Sequence, residues 1–263
     1  MSAVGTVRLL LASLALQVPA HADLLPFAPG ERVAFRVTYL RILAGRASIQ
    51  VEAAGGGAEL RFVEQAQSQG FFAWLFHFKV DDRAVARWDR ETGCSLGIEK
   101  HLREGRAARD QRVSIDPVRG VATVEDAKIS TTRFDVAPCV LDVLSAFYVT
   151  RLRGVPEQGR LSLPVFDNGK PYELGVRFVG REALDLPAPL GRATNTLVIE
   201  PQLLEGTGLF VKEGRLRIWL TDDARRIPVR MRSKVAIGSV SADLETYEPG
   251  ADPWPGTSNP PPP

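Results

Sequence analysis

The chain has 263 residues, 44% hydrophobic and 24% charged, the make-up of an ordinary globular protein and not of a disordered or fibrous one. Its net charge of +2 comes from 33 basic and 31 acidic residues interspersed along the same segments. That pattern excludes the clustered basic face, interleaved with aromatics, of a nucleic-acid-binding protein.

The chain opens on an address. Arg8 precedes an apolar run from Leu9 to Val18, and Pro19 leads into Ala20-His21-Ala22, the small-x-small pattern at which signal peptidase cuts. We therefore expect residues 1–22 to be a signal peptide cleaved after Ala22, and the mature protein to be periplasmic. The run is too short to cross a bilayer and no later segment reaches about 18 apolar residues, so the chain is expected not to span a membrane.

From Glu31 onward apolar and polar residues alternate. Val33, Phe35, Val37 and Tyr39 oppose Arg32, Ala34, Arg36 and Thr38, the signature of a half-buried strand. A turn near Gly45 leads to a second strand through Ala47, Ile49, Val51 and Ala53, and Gly55-Gly56-Gly57 reverses the chain into Leu60 to Ala66. Further strands are predicted at Arg83 to Trp88, Ser95 to Leu102, Ala107 to Ile115, Val121 to Glu125 and Ile129 to Val136.

The period then changes. Val140, Leu141, Leu144, Phe147, Tyr148 and Leu152 recur at three and four residues, which predicts one amphipathic helix over Val140 to Leu152. Pro138 suits its first turn, Asp142 favours its positive end, and Pro156 to Gly159 end it. Strands resume at Arg160 to Phe166, Tyr172 to Val179, Thr196 to Pro201, Gly214 to Thr221, Ile227 to Val235 and Ser239 to Tyr247. Asp167-Asn168-Gly169-Lys170 reads as a tight hairpin turn. Residues 23–248 thus form one β-rich domain, and 249–263, ending in four prolines, form a disordered tail.

Several clusters invite a chemical reading. Phe71, Phe72, Trp74, Phe76 and Phe78 pack five aromatics into one short stretch, either the rim of a ligand cavity or a plug of core. Arg103, Arg106, Arg109 and Arg112 surround a hairpin tip, where they either hold an anionic headgroup or are compensated by the acids between them. Cys94 and Cys139 either form one bridge, closing a loop of about 45 residues, or remain two buried thiols; spacing alone decides neither. His77 and His101 have no partner at metal-ligand spacing, and no G-x-S-x-G elbow accompanies Asp142 and Ser145, whose nearness on the helix is read as solvation of its surface. Asp81-Asp82 and Asp222-Asp223 are read as turn formers rather than calcium ligands. Gly206-Thr207-Gly208 has no following helix and is read as a flexible bend. No metal or cofactor is expected.

The segments Leu25 to Glu31, Gly70 to Asp82, Glu99 to Arg112, Asp142 to Tyr148, Leu163 to Tyr172 and Gly208 to Tyr247 together resemble a bacterial exported family, domain of unknown function 3108. The last of them holds Ile218-Trp219-Leu220-Thr221-Asp222-Asp223 and Arg226-Ile227-Pro228-Val229. That family supplies no activity or catalytic residues to transfer. The Trp-ended strand, Asp-containing turn and Ile-Pro-Val strand are also similar to the closing strands of periplasmic lipoprotein carriers of the LolA type. This second resemblance implies a curved antiparallel sheet that holds acyl chains.

The expected architecture is mainly β: a strongly curved antiparallel sheet or open barrel of about 12 to 14 strands, with one helix at its mouth or concave face. The expected function is non-enzymatic binding of an apolar or amphipathic envelope ligand, a lipid or lipoprotein acyl chain, in the concavity. The alternative is a structural or interaction module of the envelope with a filled core and a protein partner; an envelope hydrolase stands third.

Overall fold

The computed structural model describes residues 25–69, 79–126, 129–203, 216–234 and 238–250. Eight strands lead off as a meander: β1 (Arg32–Tyr39), β2 (Ile42–Ala54), β3 (Glu59–Ser68), β4 (Asp81–Asp89), β5 (Ser95–Glu104), β6 (Ala107–Asp116), β7 (Val121–Asp126) and β8 (Ile129–Asp135). Helix α1 (Val143–Arg153) follows. Six more strands complete the sheet: β9 (Leu161–Asp167), β10 (Lys170–Leu184), β11 (Thr194–Leu203), β12 (Leu216–Thr221), β13 (Pro228–Lys234) and β14 (Ser239–Glu248).

All fourteen belong to one antiparallel sheet, ordered β8-β7-β6-β5-β4-β3-β2-β1-β14-β13-β12-β11-β10-β9. Each strand pairs with its sequence neighbour, except that β1 pairs with β14 and β8 does not pair with β9. The sheet is thus a ring cut once, and α1 is the connection across the cut. Leu141 partly bridges it: its N–H donates to Pro164 O at 2.9 Å and its carbonyl accepts from Phe166 N–H at 2.8 Å. Phe134 of β8 and Phe166 of β9 meet beside it, ring centroids 5.4 Å apart.

The strands follow from the alternation, but two turns correct the expectation. The chain reverses at Leu40-Arg41 and not near Gly45. Both turn residues have positive φ (49° and 69°), the conformation a two-residue hairpin demands, adopted here without the Gly or Asn that announces it. Gly45 lies inside β2, where a Cβ would stand 2.2 Å from Gln67 O, so its role is close strand approach. At Asn168-Gly169 the predicted hairpin does form, with φ of 50° and 72°.

The helix also starts later than expected. Val140 and Leu141 fit its period, yet they belong to the seam beside β9. Asp142 is the N-cap, accepting from the amides of Leu144 (2.9 Å) and Ser145 (3.0 Å). Gly154, φ 70°, ends the helix before Pro156. Asp142 and Ser145 are wholly buried, which overturns the reading of them as solvated: the Asp142 carboxylate also accepts the hydroxyls of Ser95 and Ser145, each at 2.6 Å. Burial raises the Asp142 pKa against the pull of those four donors.

One end of the ring is closed by α1 and the segment before β1. Tyr148 stacks on Phe62 (centroids 3.8 Å), and Phe27 meets both rings edge-on, at 4.9 and 5.6 Å. Arg151 and Glu31 are buried together there, joined by hydrogen bonds of 2.6 and 3.1 Å. The same guanidinium donates to the carbonyls of Pro26, Arg225 and Arg226. Burial pulls the Arg151 pKa down, but Glu31, with smaller contributions from Tyr148 and Tyr247, raises it overall. Cys94, in the β4–β5 turn, and Cys139, between β8 and α1, are joined in a disulfide with Cα atoms 4.7 Å apart.

Candidate functional site

The cross-strand register divides the concave face into layers. Phe62, Ala86, Ile98, Val113 and Val124 stand side by side across β3 to β7, all buried in the core that α1 covers. Two residues further along the same strands the row reads Glu64, Ala84, Lys100, Gln111 and Asp126. The interior therefore changes from apolar to polar within one step of the pleat. Lys100 is buried and pairs with Asp167 of β9. Burial, then the nearby Asp82, raises the Glu64 pKa, while Lys100 opposes them. Gln111 Oε1 is buried without a hydrogen-bond partner among the described residues.

The aromatic residues singled out from the sequence, Phe71, Phe72, Trp74, Phe76 and Phe78, and His77 with them, lie outside the described residues, as do residues 1–22, Gly206-Thr207-Gly208 and the last thirteen positions of the tail. The four arginines of the β5–β6 hairpin are visible. Arg103 forms a bidentate pair with Asp110 (2.8 and 2.9 Å), Arg109 reaches Asp126 (3.4 Å) and Asn168 Oδ1 (3.0 Å), and Arg112 meets Glu99 (3.0 Å). Arg106 is exposed at the turn. His101 is exposed and shares Asp110. Asp223 holds its own turn by accepting the amides of Arg225 and Arg226, whereas Asp82 sits within β4 and accepts the Arg103 amide across the sheet. Among the described residues no three His, Cys, Asp or Glu side chains are grouped to hold a metal ion.

The convex face carries a feature that sequence reading did not single out. Because β1 pairs with β14 and β14 with β13, Arg36, Asp243 and Arg230 line up across three strands, and Thr38, Ser241 and Arg232 form the next outward row. A hollow of about 500 Å³ lies over the first row. It is walled by Asp185, Leu186 and Pro187 of the β10–β11 loop, with Val229 and Leu244 beside its floor. A second hollow of about 360 Å³ continues over the next row toward Arg41, and Arg232 and Asp243 line both.

The acids of this groove are already engaged. Asp243 accepts Arg230 and the Ser241 hydroxyl, the latter at 2.7 Å. Glu245 holds Arg46 at 2.7 and 3.1 Å, a hydrogen-bonded pair that depresses its pKa, with Arg36 adding a smaller pull. Arg230 and Arg232 lie over the Trp219 ring at 5.9 and 5.8 Å, and the indole N–H donates to Glu182 at 2.7 Å. Arg36, Arg41 and Arg232 have no ion pair among the described residues. Charged residues alternate with apolar ones along β1 and β13 in the sequence, but only the pairing of the first strand with the last brings them together.

A model of the family described as "Protein of unknown function (DUF3108)" matches residues 34–245. No curated protein matches the chain. Among solved structures, the β-barrel-like protein of domain of unknown function DUF1849 from Brucella abortus is similar in fold, with a TM-score of 0.58 at 11% identity, over 85% of this chain and 98% of that one. A DUF1089 family protein from Pseudomonas aeruginosa gives a TM-score of 0.36 at 13% identity, over 71% of this chain and 88% of that one.

Proposed function

We propose, for a chain that belongs to the DUF3108 family of proteins of unknown function, a non-enzymatic envelope protein that binds an amphipathic ligand in the groove over β1, β14 and β13. The periplasm is the compartment this reading assigns, on the pattern of Arg8, the Leu9 to Val18 run and Ala20-His21-Ala22.

The observation that carries the reading is the contrast between the two faces of the sheet. Among the described residues the concave face under α1 is filled by the protein's own rings and aliphatic side chains, packed as one buried core. The convex groove has ligand-sized volume, about 500 Å³, and joins apolar walls to guanidinium groups. A non-enzymatic role accords with the burial of Ser95, Ser145 and Asp142, which keeps this hydroxyl–carboxylate cluster out of a substrate's reach.

The test uses Thr38→Cys, since both native cysteines are bridged and the new thiol lies in the groove. With an environment-sensitive fluorophore attached there, a saturable change is expected on titrating dihexanoyl phospholipid below its micellar concentration. Saturable binding that leaves this reporter silent would place the ligand elsewhere and overturn the reading.

A second reading keeps the ligand inside. It is favoured by the polar row at Glu64, Lys100 and Gln111, which shows that apolar packing does not continue along the whole concavity. Under that reading Trp74→Ala and Phe76→Ala weaken uptake of a fluorescent fatty acid without lowering the midpoint of unfolding.

A further inference from the structure

We propose that the convex groove selects anionic headgroups, the ligand bringing a phosphate or carboxylate to Arg36 and Arg232. This inference rests on the groove being the binding site and names the chemistry that the site recognises.

The groove carries more cationic than anionic charge that is free to meet a ligand. Of the acids in the groove, Asp243 is engaged by Arg230 and Ser241, and Glu245 by Arg46. Asp185 accepts the Ala193 amide at 3.1 Å and remains the one acid there without a cation. Arg36 and Arg232 line the same hollow and Arg41 the adjoining one, all three with no ion pair among the described residues. A ligand anion entering the groove thus meets guanidinium groups that need not break an existing pair to receive it.

Geometry makes the receipt specific. Arg36 and Arg232 lie on strands that flank β14, in rows one two-residue step apart. With strands about 4.8 Å apart and a rise of about 3.3 Å per residue, their Cα atoms stand roughly 10 Å apart across the sheet and 7 Å along it. Two arginine side chains are long enough together to cover that interval, and each planar fork offers paired donors to an oxyanion. Trp219 beneath Arg232 restrains that side chain, so less freedom is lost on binding. Leu186 and Pro187 on the adjoining wall give the apolar stem of the ligand a dry contact.

The experiment compares dihexanoyl phosphatidylglycerol, dihexanoyl phosphatidylcholine and inorganic phosphate by titration calorimetry on the mature protein. Expected is saturable binding of the anionic lipid, at least about tenfold tighter than of the zwitterionic one, with Arg36→Gln and Arg232→Gln each weakening it about tenfold. Both arginines are exposed, so the thermal midpoint should stay within about 1 °C of the parent for each variant, which separates lost binding from lost fold.

Equal affinity for the two lipids, unaffected by either variant, would overturn the anion inference and leave the groove reading standing. Inorganic phosphate binding as tightly as the lipid would overturn the requirement for an amphipath. Binding of neither lipid would overturn the inference and the groove reading together.

Discussion

Two sets of arginines divide the labour of this molecule. Arg151, at the closed end, is fully buried, and its guanidinium is matched by both Glu31 oxygens and three carbonyls. Arg36 and Arg232, on the convex face, are exposed and make no ion pair among the described residues. Burial explains the difference: a guanidinium taken out of water must find its partners within the protein, whereas one left in water keeps its capacity for a ligand. The closed end is therefore read as structure and the groove as recognition.

The sharpest way to break this comparison is to remove one half of the buried pair. Arg151→Met leaves the Glu31 carboxylate buried and alone, and should destabilise the protein by about 3 to 5 kcal/mol in urea unfolding. The double variant Arg151→Met with Glu31→Leu should recover a large part of that loss, since no unpaired charge remains. A double variant no more stable than the single one would mean that the carbonyl contacts, and not the ion pair, hold this end together.

Reduction of the Cys94–Cys139 bridge should follow in size. Releasing a loop of 45 residues is expected to lower stability by about 3 to 4 kcal/mol through the unfolded chain. Thermal unfolding with and without reductant measures it, and an unchanged midpoint would show that the network around Asp142 and Arg151 needs no covalent help.

A smaller effect distinguishes the polar layer inside the sheet from the apolar floor beneath it. The Glu64 pKa is raised in the folded protein, chiefly by burial, so the folded state favours the protonated form. Stability from this group is present at acid pH and is lost as pH rises from the unfolded value, about 4.3, through the folded one. Glu64→Gln removes that loss. Its stability relative to the parent should increase between pH 4 and pH 7, as read by denaturant midpoints at each pH, and a difference that is flat or falls over this range would contradict the assignment.

The two regions were unequally legible in the sequence. Alternation located all fourteen strands, because a strand with one face in the core must repeat every two residues. It misplaced the first turn, because Leu40-Arg41 adopts positive φ without Gly or Asn. It began the helix early, because Val140 and Leu141 satisfy a helical period while serving the seam at β9. Asp142 was visible as a helix start, yet its burial was not, since nothing local announces that Ser95 of a distant strand will donate to it. The groove was hidden for a related reason: Arg36 lies about 200 residues from Arg232, and only a sheet that closes its first strand on its last makes them neighbours.

On the proposed reading the convex groove, and not the concavity, receives the ligand. The direct test is photolabelling with a short-chain anionic phospholipid carrying a diazirine in its acyl chain, followed by peptide mapping of the labelled protein. Labels are expected on the β10–β11 loop around Leu186 and Pro187 and on β13 and β14, with labelling reduced by Arg36→Gln and Arg232→Gln. Labels confined to the concave face, on the strands that carry Glu64, Lys100 and Gln111, and indifferent to those two arginines, would contradict that reading.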